Sequence, residues 1–195
     1  MTESPDGHGS IGWFLAGYLT LAGFLALEAT ARERGTASSL VATPDDRDTT
    51  RTIVLAYAVA ALAAPLLRLI PLPRLPRFAG PVGLAVEASG LALRAWSMRV
   101  LGRAYTRTLR AESEQHVVDT GPYARVRHPG YLGSIMTWCG FASTSRSLPV
   151  VALVGLLLGS AYSRRIDAEE RLLRRDLPAY AEYMARTKRM IPYIW

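Results

Sequence analysis

At 195 residues the chain has the length of one domain, half of it is hydrophobic, and its mean hydropathy is positive despite 23 Lys and Arg residues and a net charge of +7. Apolar and basic blocks must therefore alternate, which points away from an ordinary soluble domain and toward membrane spans with basic flanks. The single cysteine, Cys139, excludes a disulfide framework and a thiolate metal site.

The start, Met-Thr-Glu-Ser-Pro-Asp, has no basic n-region, so the first apolar run, at about 11–31, is expected to be a membrane anchor and not a cleaved signal. Residues 36–52 are polar and unpatterned and read as an exposed loop before a second span at about 53–70. Pro71-Leu-Pro-Arg-Leu-Pro76 cannot be helical throughout, because proline removes a donor and restricts the residue before it; it predicts a stiff turn.

The third span, at about 79–101, continues into Arg94-Ala-Trp-Ser-Met-Arg-Val-Leu-Gly102. Arg99 and Arg103 sit where a long side chain can snorkel, but Arg94 is deeper, with Glu87 two helical turns before it on the same face. Tyr105-Thr-Arg-Thr-Leu-Arg110 alternates like a short extended piece, and Gly121-Pro122 breaks the chain before it re-enters an apolar helix at Tyr131. Spans at about 130–145 and 147–163 pair through Ser145-Arg-Ser-Leu-Pro149 as a helical hairpin. From Ser163 to Ala185 the composition favours an amphipathic helix with Leu172, Leu173, Leu177 and Tyr180 as its apolar stripe, lying on the membrane or capping a pocket.

The expected fold is all-α: a membrane helical bundle of about five transmembrane helices with a C-terminal cytoplasmic amphipathic helix, forming a single domain over 1–195. Within it, 11–101 holds three N-terminal spans and 102–195 holds the hairpin 130–163 and the tail helix. Five spans bring the segments 32–52, 102–129 and the tail after 163 to one face, and these carry most of the cations. The positive-inside rule then places the N-terminus outside and the C-terminus in the cytoplasm. The arginines flank spans and no nucleic-acid fold signature occurs, so attraction to anionic membrane lipids accounts for them and nucleic acid is not an expected partner.

His8, His116 and His128 have no carboxylate or cysteine partners at metal spacing, no HExxH or CxxC occurs, and there is neither a GxSxG elbow nor a Walker A loop. No metal is expected. What is present is a polar ring at the basic edge: Arg94, His116, Tyr123, Arg127, His128, Tyr131, Arg164, Arg165, Glu169 and Glu170. Each has an ordinary explanation. Arg165 and Glu169 are four apart and can pair on one helix, His-Pro can simply start a helix, and tyrosines at a span boundary form an aromatic belt.

The combination is more specific. Gly-Pro-Tyr-x-x-x-Arg-His-Pro-x-Tyr-x-Gly from Gly121, then a helical hairpin, then Arg-Arg-Ile-x-x-Glu-Glu-x-x-Leu from Arg164 and Tyr180-x-x-Tyr183, resembles the isoprenylcysteine carboxyl methyltransferase family and its kin, the membrane phospholipid methyltransferases. Arg94-x-Trp96, Leu101-Gly102 and Thr187-Lys-Arg-Met-Ile-Pro192 extend the resemblance over about residues 90 to 192. It implies an S-adenosyl-L-methionine-dependent transferase whose cofactor lies in a cytoplasm-facing pocket of the C-terminal half. The matching positions are Gln115, His116, Val117, Val118, Gly121, Tyr123, His128, Pro129, Tyr131, and Glu169 or Glu170.

Carboxylates can accept from the ribose hydroxyls or the ammonium of that cofactor, His128 or an arginine can donate to its carboxylate tail, and Tyr123 or Tyr131 can line the adenine or the sulfonium. Gly121 permits close backbone approach. A carboxylate acceptor is already ionised and needs a cation to hold it, for which Arg94 and Arg165 are the candidates. An amine acceptor must lose a proton, and Glu169 or Glu170 then becomes the base.

Isoprenylcysteine-type carboxyl O-methylation is the expected reaction, with phospholipid or other amine N-methylation as the alternative within enzymes. A non-catalytic lipid-binding or scaffolding protein is the alternative outside them. The alanine- and arginine-rich composition suggests a high-GC bacterial genome, hence the inner membrane and a lipophilic acceptor entering from the bilayer. No obligate protein partner is evident.

Overall fold

The computed structural model describes residues 6–34, 48–71, 73–102 and 117–191. They form six α-helices: α1 Asp6–Arg34, α2 Thr49–Arg68, α3 Ala79–Leu101, α4 Pro129–Thr144, α5 Leu148–Asp176 and α6 Tyr180–Arg186. A 3₁₀ turn, Gly121–Ala124, precedes α4. Gln115, His116 and the Tyr105–Arg110 stretch lie outside the described residues.

Proline sets several boundaries. Pro129 is the first residue of α4, where its missing N–H is no loss, and Pro149, the second residue of α5, likewise sits in a first turn. Pro178 drives Leu177 into an extended conformation and stops α5. Here the structure departs from the expected tail helix. The fifth span and the first part of the tail are one continuous helix of 29 residues, and only seven residues after the break form α6. Nothing between Ser163 and Asp176 interrupts the helix, since arginine, glutamate and leucine are all good helix formers.

Three helices are long and apolar enough to cross a membrane: α1 over Ile11–Thr30, α2 over Thr49–Leu67, and α5. The apolar windows of α1 and α2 are only 22% and 17% buried, so most of their leucines and valines face outward, as lipid-facing helices require. The other two expected spans fall short of that length or composition. α3 carries Glu87 and Arg94 on its inward face, and α4 has only 16 residues.

α4 stands at the centre, packed on α1, α3 and α5 and touching α2. Its seam with α3 is the tightest, because glycines face each other there. A Cβ on Gly90 would lie 2.6 Å from the Gly133 carbonyl oxygen, and one on Gly140 would lie 2.5 Å from the Glu87 nitrogen. Lipid is as apolar as leucine, so such close backbone approach holds membrane helices together better than greasy side chains do. On its other faces α4 presents Trp138 and Phe141 to Phe14, Tyr18, Phe24 and Tyr57.

Successive helices run in alternating directions. At one end the proline turn lies against the α4–α5 turn, with Leu75 N–H donating to the Arg146 carbonyl (2.7 Å) and Leu148 N–H to that of Pro73 (3.1 Å). At the other end, the C-terminal part of α1, the start of α2, the end of α3, the start of α4 and the second half of α5 converge. The described parts of the cation-rich segments therefore share one end.

Candidate functional site

Gly121 opens the site at φ +58°, a backbone conformation that favours glycine, and a Cβ there would stand 3.1 Å from a Val100 methyl on α3. The 3₁₀ turn that follows buries Pro122 and Tyr123, and the Tyr183 hydroxyl donates to the Tyr123 carbonyl at 2.8 Å. Val117 packs on Leu177, Tyr180 and Tyr183, so α6 backs this loop, while Val118 is half-buried beside it. Burial pushes the Tyr180 and Tyr183 hydroxyls well above the ordinary phenol range, leaving both as neutral packing and hydrogen-bonding groups.

The loop leads into His128, the N-cap of α4, and Pro129, both buried. His128 Nε2 donates to Glu170 Oε1 at 3.2 Å, and its ring stacks on Tyr131 with centroids 5.5 Å apart. Glu170 is 2% exposed, and both of its oxygens are taken. Arg127 Nε also donates to Oε1 at 2.9 Å, while Arg189 donates to Oε2 from Nε at 3.1 Å and from its terminal nitrogen at 2.8 Å. Arg127 further bonds the carbonyls of Met184 and Thr187.

Glu169, one residue away, points elsewhere and is half-buried. Its Oε2 accepts from the Tyr131 hydroxyl at 2.5 Å, and that same hydroxyl accepts from Arg165 Nε at 3.1 Å. The guanidinium of Arg165, 3% exposed, also donates to the hydroxyls of Thr49 and Thr50 at the start of α2 (3.1 and 2.9 Å). Arg165 and Glu169 thus meet through Tyr131. A line of rings runs on from this point into the bundle: Tyr131 to Tyr162 at 5.0 Å, the hydroxyl of Tyr162 against that of Tyr57, and Tyr57 stacked on Trp138 at 4.5 Å.

Arg94 occupies a separate position. Its Nε donates to Glu28 at 2.7 Å and another nitrogen to the Gly130 carbonyl at 3.0 Å, with the guanidinium over the Phe24 ring. Glu87 shares the inward face of α3 with it, but the carboxylate bonded to Arg94 comes from α1. Both oxygens of Glu87 are buried without a hydrogen bond, close to where a Cβ on Gly17 would be.

Of the residues singled out from sequence, Gly121, Tyr123, His128, Pro129, Tyr131, Arg165, Glu169 and Glu170 come together at one end, with Arg94 beneath the first turn of α4. Arg127, marked from sequence as part of the polar ring, proves to be a partner of Glu170, whereas Arg189, Glu28, Thr49 and Thr50 were missed as partners. For Glu28 a signal existed: it is the one acid in the first apolar run, and charges buried in different spans tend to pair. Among the described residues, no group of three His, Cys, Asp or Glu side chains could hold a metal ion.

Residues 83–175 match the isoprenylcysteine carboxyl methyltransferase (ICMT) family. The cobalt-zinc-cadmium resistance protein CzcN of Cupriavidus metallidurans is 34% identical over 76 residues, 39% of this chain and 35% of that protein. A probable protein-S-isoprenylcysteine O-methyltransferase of Oryza sativa subsp. indica is 31% identical over 121 residues, 60% of this chain and 63% of that one. The chain thus matches about a third of the length of the former and under two thirds of the latter.

The solved structure of the eukaryotic intramembrane Ras methyltransferase ICMT superposes with a TM-score of 0.68 at 20% identity, covering 95% of this chain and 68% of that one. The residues from Gly83 to Arg175, which carry most of the site, are thus similar to the isoprenylcysteine carboxyl methyltransferase family, and the membrane helical fold is shared with its solved member.

Proposed function

We propose that the chain is an S-adenosyl-L-methionine-dependent methyltransferase of the membrane that forms a methyl ester on the carboxylate of a lipophilic acceptor. The observation that carries this reading is the Tyr131 hydroxyl, held between the buried Arg165 guanidinium and the half-buried Glu169 carboxylate at the cation-rich end. The plant relatives, named as isoprenylcysteine O-methyltransferases, support the same chemistry.

The donor set fits the cofactor. Glu169 has a second oxygen for a ribose hydroxyl or an ammonium, Tyr131 offers a ring face, and the Val117–Gly121 loop brings backbone close by. Glu170, buried and saturated by three side chains, supports a positioning role instead. When bound, the cofactor supplies a methyl group on a positive sulfur, and the demand on the protein is in-line alignment.

Arg165 is placed to hold the acceptor carboxylate beside Tyr131, since a guanidinium binds carboxylate in a fixed geometry. Arg94, already bonded to Glu28 and to the Gly130 carbonyl, fixes the first turn of α4 beneath the site. The acceptor, being lipophilic, enters from the bilayer, while the line from Tyr131 toward Trp138 is packed inside the bundle and holds the Tyr131 ring from behind. The cation-rich end faces the cytoplasm, where the soluble cofactor is found.

Membranes containing the chain, incubated with methyl-labelled cofactor, are expected to yield a labelled lipid that releases volatile methanol in base. Base-stable label would replace the carboxylate by an amine acceptor. No binding of the cofactor to detergent-purified protein would leave a non-catalytic lipid-binding protein.

A further inference from the structure

Residues 187–191, part of the Thr187-Lys-Arg-Met-Ile-Pro192 stretch, have no part in the chemistry above. Yet this segment runs beside the loop before α4. The Arg127 N–H donates to the Lys188 carbonyl (2.8 Å), the His128 N–H to that of Arg189 (2.9 Å), and the Lys188 N–H to that of Arg125 (3.1 Å). From the same segment the Arg189 side chain crosses to α5, donating to Glu170 Oε2 and, at 2.9 Å, to Asp167. Burial lowers the affinity of Arg189 for its proton, but the two carboxylates outweigh this and raise it above its ordinary value.

Arg127 and His128 are therefore each held twice. Their backbone N–H groups are held by the tail segment, and their side chains by Oε1 of Glu170. Arg189 closes the loop of contacts by joining that segment to the other oxygen of the same carboxylate.

We infer that Arg189 is a positioning residue for the donor site: it pins Glu170 by Oε2 so that Oε1 fixes Arg127 and His128, and through the His128–Tyr131 stack directs the Tyr131 hydroxyl at Glu169. The inference rests on the proposed role of Tyr131 and Glu169 in lining the donor pocket. It accounts for adjacent glutamates with opposite environments, one closed by cations and one left half-exposed. A lysine cannot replace the arginine fully, because only the planar fork reaches Glu170 with two nitrogens and Asp167 with one of them.

Equilibrium dialysis of labelled S-adenosyl-L-methionine against the full chain in detergent, with thermal unfolding measured alongside, tests this. Arg189→Ala should weaken donor binding by about tenfold or more, given the worth of charge-assisted hydrogen bonds. Arg189→Lys should recover part of that loss. Asp167→Asn, at a half-buried position that bonds to the arginine, should cost about two- to threefold with an unchanged unfolding midpoint.

Wild-type affinity in both Arg189→Ala and Arg189→Lys, in a wild-type chain that binds, overturns the inference alone. A wild-type chain that fails to bind overturns the proposed function and the inference with it. Should Arg189→Ala fail to fold, the Asp167→Asn affinity decides, and an unchanged value overturns the inference.

Discussion

At the end of the bundle where the proline turn meets the α4–α5 turn, the connections close on main-chain hydrogen bonds between Pro73–Leu75 and Arg146–Leu148. At the opposite end, side chains from widely separated positions tie the helices together: Glu28 to Arg94, Thr49 and Thr50 to Arg165, Arg127 and Arg189 to Glu170. Backbone bonds fix a turn without regard to side-chain identity, whereas charged side chains fix directions and leave some of their capacity turned toward a ligand. The difference suggests that substitutions at the first end act on stability alone, and those at the second act on stability and donor binding together.

The largest effect is expected at Glu170. Glu170→Ala leaves Arg127 and Arg189 without their shared carboxylate, and breaking a buried ion pair by removing one partner typically costs about 3–5 kcal/mol. The thermal midpoint should fall and donor binding should vanish. Retained donor affinity in a destabilised but folded protein would break the proposed coupling of stability and binding at this end.

The α3–α4 seam joins the two ends, and Gly90→Val tests whether they stay in register. The neighbouring atoms are backbone, at 2.5 Å from Thr137 N and 2.6 Å from Gly133 O, so the helices must separate. Overpacking of this kind costs about 1–3 kcal/mol or more. Because Gly133 lies two residues from Tyr131, affinity should drop with the midpoint. A lower midpoint at unchanged affinity would show that the site holds its geometry independently of the seam.

Sequence legibility divides along the same line. The helical bundle, the hairpin, the stiff turn at Pro71 to Pro76 and the grouping of basic segments at one end could all be read, because apolar run length, proline and charge asymmetry are local signals. The Glu169-Glu170 pair could be found but not divided, since which carboxylate is buried depends on the rotation of α5 against the loop and on Arg189 arriving from the tail. Arg94 could be marked as buried, but its partner Glu28 is 66 residues away on another helix. The continuity of α5 past Ser163 was hidden by its change from apolar to charged composition, which alters the surroundings of a helix without ending it.

Tyr131→Phe is a smaller change and sharpens the comparison within the site. It keeps the ring that stacks on His128 and removes only the hydroxyl shared by Arg165 and Glu169. Each lost hydrogen bond is worth about 0.5–1.5 kcal/mol, and more where a partner is charged, so methyl transfer should fall by about tenfold while the fold is kept. Unchanged transfer would remove Tyr131 from the acceptor side and leave it as a ring face only.

The smallest effect is expected at the opposite end, at Arg146. This residue sits at φ +57°, which costs a non-glycine residue about 1–2 kcal/mol, and its Nε donates to the Leu75 carbonyl at 3.2 Å. Arg146→Gly relieves the backbone and loses that charge-assisted bond, worth about 1.5 kcal/mol at the low end of its range for a half-buried side chain, so the two contributions nearly cancel. Arg146→Ala loses the bond without relief and should be the less stable variant. Donor affinity and methyl transfer should be unchanged in both, since the backbone hydrogen bonds that close this turn are indifferent to the side chain. A change in donor affinity beyond about twofold in a folded Arg146→Gly variant would mean that the ends communicate through α4 or α5 and are not separable.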